Sequence, residues 1–155
     1  MTNGAGVIAL AGEGRLANVL GAPVKLISLG ADTAGLMDVL EAEFPGGMTF
    51  AAHIHRNSDE AFYVLEGELM MRIGDRRVKA TPGAFGLAPR GVAHGFDNEG
   101  SLSARILVWQ MPAWGAERFV EALGQLPPGP PDMDKLMEIF RVYDFEPVPP
   151  PPSGS

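Results

Sequence analysis

The stretch GMTFAAHIHRNSDEAFYVLEG, residues 47–67, sets His53 and His55 two apart, follows them with a polar turn, and puts Glu60 at the start of a run that reads as a β-strand. Side chains of a strand alternate between its faces, so His53 and His55 point to the same side. The turn RNSD, residues 56–59, allows an antiparallel neighbour to carry the Glu60 carboxylate back toward the two imidazoles. The chain has three histidines in all, and the third, His94, lies in PRGVAHGFDN, residues 89–98. A single histidine in a strand more often serves packing or the surface than a metal. In this chain every histidine, together with one carboxylate, falls where a folded sheet can gather them.

On either side of that stretch the chain reads as short strands parted by turns. VKLISL (24–29) and LMDVLEAEF (36–44) precede it; ELMMRIG (68–74), RRVKA (76–80), AFGLAP (84–89), VAHGFDN (92–98) and SARILVWQM (103–111) follow. Gly74-Asp75 is a two-residue hairpin signal. Turn signals recur every ~8–12 residues, the spacing of an all-β sandwich or barrel. Residues 1–22 are Gly- and Ala-rich and are expected to form an arm or an edge strand, with the barrel over 23–111. Beyond Met111 the period changes. Ala116, Phe119, Val120 and Leu123 mark one face of a helix. PPGPP (127–131) breaks it, and Asp132 is a good N-cap for a second helix with Met133, Leu136, Met137 and Phe140 on one stripe. Two short helices within 112–145 are expected to pack outside the barrel, before a Pro-rich flexible tail at 146–155.

At 155 residues with 46% apolar content the chain fits one globular domain with a real core. No apolar run approaches the ~20 residues of a membrane span, and the N-terminus lacks the basic-then-apolar order of a secretory signal, so a cytoplasmic location is expected. With no cysteine, any metal must be held by imidazole and carboxylate. A net charge of −7 argues against nucleic acid and anionic membrane as partners. Three neutral imidazoles and one ionised carboxylate suit a divalent first-row metal, here Fe, Mn, Ni, Co or Zn. Their need to be deprotonated makes metal affinity fall in acid.

The sequence resembles the cupin family. Gly47, His53, His55, Glu60 and Gly67 fit its first motif, and Gly83, Pro89, Gly91, His94 and Asn98 fit its second. The resemblance implies a jelly-roll β-barrel (a double-stranded β-helix) with one metal ion at His53, His55, Glu60 and His94, and Asn98 as a structural hydrogen-bonding residue. MPAWGAERFVEALGQLPPG, residues 111–129, is similar to the element that follows the barrel in small quercetin dioxygenase-like cupins, with one extra residue after Pro112.

That likeness implies a dioxygenase acting on a small aromatic or enediol substrate, with Glu60 as both ligand and base. The alternatives are a non-redox cyclase or isomerase, in which the metal polarises a carbonyl, and a cupin that binds metal or a small ligand without turnover. Strand parity makes Phe62, Val64 and Phe96 substrate-pocket candidates and puts Ala51 on the face of His53. The facing of Phe50, Val108 and Trp109 is not fixed by sequence. The expected ligand is small, apolar or aromatic, and oxygenated. A homodimer is also expected, with segment 5–29 a candidate to cover a sheet edge.

Overall fold

The computed structural model describes residues 6–149; the first residues of the expected arm and most of the expected tail lie outside them. Eleven strands and two helices follow in chain order among the described residues. The strands are β1 (Arg15–Val19), β2 (Ala22–Ser28), β3 (Asp38–Phe44), β4 (Thr49–Ile54), β5 (Asp59–Glu66), β6 (Leu69–Ile73), β7 (Arg76–Ala80), β8 (Phe85–Ala88), β9 (His94–Asp97), β10 (Ala104–Met111) and β11 (Glu146–Pro147). The helices, α1 (Ala116–Gly124) and α2 (Met133–Val142), lie between β10 and β11.

The strands make two antiparallel sheets, ordered β1-β2-β3-β10-β5-β8 and β11-β4-β9-β6-β7. This is the jelly-roll architecture. β10 shows why the sheets face each other. Ala104, Ile106, Val108 and Gln110 are buried while the residues between them are half-exposed, the period of a strand with one face on a core. Val108 thus points inward and Trp109 outward. The inner faces join in one cluster that includes Phe44, Phe62, Val64, Met71, Phe96, Ile106 and Val108. The Gly74-Asp75 hairpin forms as read, pairing Ile73 with Arg76.

Two features around the histidines depart from the sequence reading. β4 and β5 are not hydrogen-bonded neighbours, because they belong to opposite sheets. The RNSD turn is a crossover between layers, so Glu60 reaches the histidines across the barrel interior and not along a ladder. The second departure is a bulge. Phe50 pairs with Phe96 and His53 with His94, so three steps on β4 oppose two on β9. The extra residue reverses the alternation. Phe50, not Ala51, shares the inward side with His53, and Ala51 is exposed. Gly95 makes this possible: a Cβ there would sit 2.8 Å from the Phe50 carbonyl oxygen.

The C-terminal helices pack outside the barrel wall, as expected. α2 starts at Asp132, whose carboxylate accepts from the N–H groups of Asp134 and Lys135. Phe119, Leu136, Phe140 and Phe145 form a second apolar cluster that also touches Val19 and Phe50. The tail does not begin at 146. Glu146 and Pro147 pair with Ile54 and His53 as β11, because β4 would otherwise be an open edge. At the far edge of the other sheet, β1 covers β2 within the same chain.

Candidate metal centre

His53 lies near the end of β4, His55 just beyond it, Glu60 near the start of β5, and His94 opens β9. All four are buried, and one donor atom from each lies within 4.8 Å of the others. Glu60 Oε2 is the hub, 2.6 Å from His94 Nε2, 3.4 Å from His55 Nε2 and 3.9 Å from His53 Nε2. The opposite ring nitrogens are anchored on backbone carbonyls. His53 Nδ1 donates to Ala51 O at 3.1 Å, His94 Nδ1 to Val92 O at 2.9 Å, and His55 Nδ1 to Asp144 O at 2.6 Å. A carbonyl oxygen only accepts, so each Nδ1 carries the proton and each neutral Nε2 is bare. Outer contacts of this kind orient histidine ligands and set their tautomer.

Three bare nitrogens aimed at a carboxylate oxygen repel unless protons or a cation lie among them. Three protons do not fit. Burial, with the added repulsion of His94, holds His53 down to about 3 in spite of Glu60. Burial also lowers His55, but the charge and hydrogen bond of Glu60, together with Asp144, raise it above its ordinary value. Burial raises Glu60, yet the charge and hydrogen bonds of His55 and His94 hold it below the usual carboxylate range, so it is ionised. The donor set therefore fits a single divalent cation bound by His53, His55, Glu60 and His94. Three nitrogens and one oxygen suit Fe, Mn, Ni, Co or Zn and do not select among them.

The loop before His94 is built for this. Arg90 holds Asp59 by a bidentate ion pair with contacts of 3.1 and 2.9 Å, and Gly91 N–H donates to His55 O at 2.7 Å. Asn98 has no role at the cluster. Its Nδ2 donates to Phe44 O and Leu102 O, both at 2.8 Å, which closes the loop after β9.

Beside the cluster lies a cavity of about 70 Å³, lined by His53, His55, Glu60 and mainly apolar side chains. Phe62 and Phe96 line it. Val64, two residues beyond Phe62 on the same face, is buried in the core and does not reach the cavity. Its parity with Glu60 is as read, but it sits too far along β5. The sequence reading missed the roof. Trp114, Phe119 and Phe145, from the segment after the barrel, close the cavity together with Phe50. Phe145 stacks on His53 with ring centroids 4.2 Å apart and planes 9° from parallel. Gln110, paired with Glu60 across β5 and β10, is the further polar wall and donates to Ser58 Oγ at 3.2 Å. Gln110 shares its face with Val108, but sequence does not fix which way that face points.

Residues 40–110 match the family model described as a cupin domain. Among solved structures, the chain is similar to an RmlC-like cupin from Shewanella frigidimarina, with 19% identity, 72% of this chain and 94% of that one covered, and a TM-score of 0.61. It is also similar to the polyketide cyclase RemF from Streptomyces resistomycificus, with 22% identity, coverage of 68% and 78%, and a TM-score of 0.60. A predicted oxalate decarboxylase from Thermotoga maritima aligns with 17% identity, coverage of 59% and 80%, and a TM-score of 0.57. At these identities the likeness concerns the fold alone. Among curated proteins, none matches the chain.

Proposed function

The chain belongs to the cupin superfamily, and on that footing we propose that it is a metal-dependent dioxygenase acting on a small aromatic or enediol substrate. The observation that carries this reading is the four-donor cluster buried against an apolar cavity. Four protein donors around a metal that prefers six leave about two positions for substrate oxygens or dioxygen. When bound, the metal would lower the pKa of a coordinated hydroxyl and bring substrate and dioxygen together.

The residues of the chain supply the rest. Glu60, held ionised, takes the proton of a substrate hydroxyl on its carboxylate. Phe62 and Phe96 pack against the ring of the substrate, while Phe50 and Phe145 cover it and exclude water. The cavity, at about 70 Å³, is well under the ~300 Å³ of a pocket for drug-sized ligands. It suits one ring or a short enediol, not a three-ring flavonol.

A non-redox reading, cyclase or isomerase, draws support from the same Glu60, since a buried ionised carboxylate beside a Lewis acid also moves protons between carbons. Elemental analysis of protein purified without a histidine tag, followed by oxygen uptake with catechols and reductone-type enediols, separates the two. Iron, manganese, nickel or cobalt with stoichiometric oxygen consumption supports the dioxygenase. Zinc with anaerobic turnover moves the assignment to the cyclase or isomerase, and stoichiometric metal without turnover on either panel refutes both.

A further inference from the structure

Trp114 lies between β10 and α1, in the roof of the cavity. Its indole Nε1 is buried and meets no hydrogen-bond acceptor among the described residues. Buried donors without a partner are rare in folded proteins, and each calls for an explanation, a catalytic or binding role among them. The residue is firmly held. Asp38 Oδ2 accepts from the backbone N–H groups of Trp114 at 3.0 Å and of Gly115 and Ala116 at 3.2 Å, while Oδ1 accepts from Gly30 N–H at 2.7 Å. Asp38 is itself 1% exposed. The indole packs between His55, at 5.5 Å between ring centroids, and Phe119, at 4.8 Å. A firmly held residue with an unpartnered donor thus lines the cavity next to a candidate metal ligand.

We propose that Trp114 determines specificity by donating its indole N–H to an oxygen of the molecule bound at the metal centre. The inference rests on the reading of the cluster as a metal site for an oxygenated substrate. An indole N–H can only donate, so it selects a carbonyl, phenolate or enolate oxygen at that position. It disfavours an analogue with C–H or N–H there, which would leave the donor buried and unpaired.

The test uses zinc-loaded protein and 4-nitrocatechol, whose visible absorption changes on chelation. W114F keeps the ring and removes the N–H. It is expected to bind the probe about 10-fold more weakly than wild type, the loss of one hydrogen bond, with zinc affinity unchanged. Equal probe affinity in the two proteins overturns the role of Trp114 alone. No binding by zinc-loaded wild type overturns the oxygenated-substrate reading and this inference with it. If W114F does not fold, wild type labelled with nitrogen-15 at its two tryptophans gives the answer. The Trp114 indole N–H resonance, assigned by comparison with W109F, moves downfield when the probe binds, and an unmoved resonance overturns the proposal.

Discussion

Glu60 Oε2 faces three imidazole nitrogens at 2.6, 3.4 and 3.9 Å, so each donor can be removed separately with a distinct result. His94→Ala deletes a candidate ligand and should lower metal affinity by more than the roughly 10- to 100-fold that outer contacts are worth; titration calorimetry on metal-stripped protein measures it. Retained affinity would show that His94 is not a ligand. Glu60→Gln keeps an oxygen donor but loses the charge. It should weaken metal less than His94→Ala and abolish proton transfer, read as lost turnover at full metal occupancy. The cluster also has a definite pH sign. Burial lowers the pKa of His55 but Glu60 and Asp144 raise it above 6.5, so as pH falls through that raised value the metal-free site takes up a proton that an incoming cation must displace. Metal affinity should rise with pH through that region and level off above it. Calorimetry in two buffers of different ionisation enthalpy reads the released proton, and identical apparent enthalpies would refute it. The four candidate ligands were legible from the two cupin-like motifs, although Glu60 arrives by a crossover between layers and not along the antiparallel ladder expected. Phe145, Asp144 and Trp114 were not, since nothing local to residue 55 announces a carbonyl from 89 positions away.

The segment from Asp144 to Pro147 fastens the helical region to the histidine–glutamate cluster. Asp144 has a positive φ of 55°, and its carboxylate accepts from Arg56 N–H at 2.8 Å, Asn57 N–H at 2.9 Å and Asn57 Nδ2 at 3.1 Å. Those contacts hold the carbonyl that orients His55. Asp144→Ala should therefore cost roughly 10-fold in metal affinity, with the circular-dichroism spectrum of the barrel retained. Unchanged affinity would mean that the backbone alone positions the carbonyl. Asp38 does the corresponding work at the start of α1, whose N-cap residue, Gly115, makes no side-chain cap. Asp38→Ala leaves four N–H groups without their acceptor and should destabilise the protein by about 3 kcal/mol, seen as a lower Tm. Element types were readable from periodicity: alternation over 36–44 gave β3 and the i, i+3, i+4 spacing gave α1. The bulge in β4 was not, because its cause lies in Gly95 on a different strand. The second helix pattern likewise showed an apolar stripe but not that its partners roof a cavity.

Acid should unfold the protein through groups at both the interior and the surface. The pKa of His53 is depressed to about 3 by burial first. Between about 6.5 and 3 the unfolded chain binds a proton that the native site refuses, so falling pH favours unfolding. Glu41 is lowered below 4.5 because Arg105 and Lys25 together outweigh its burial. Its contribution is full above 4.5 and is lost as pH falls through the folded value. Thermal melts of metal-free protein from pH 7 to pH 3 should show Tm declining first below about 6.5 and more steeply below 4.5; a flat Tm across that range would refute both assignments. No helix among the described residues is long and apolar enough to cross a membrane. Arg15 on β1 pairs with Glu117 and Glu121 on α1, which ties the first strand to the first helix. The dependence of His55 on Asp144 has a consequence for biosynthesis. Chains emerge from the ribosome in order, so a nascent chain displays all four donors well before residue 144 has been translated. A cation captured at that stage would meet a His55 imidazole still free to rotate, and the candidate site would gain its fixed orientation only once Asp144 has docked.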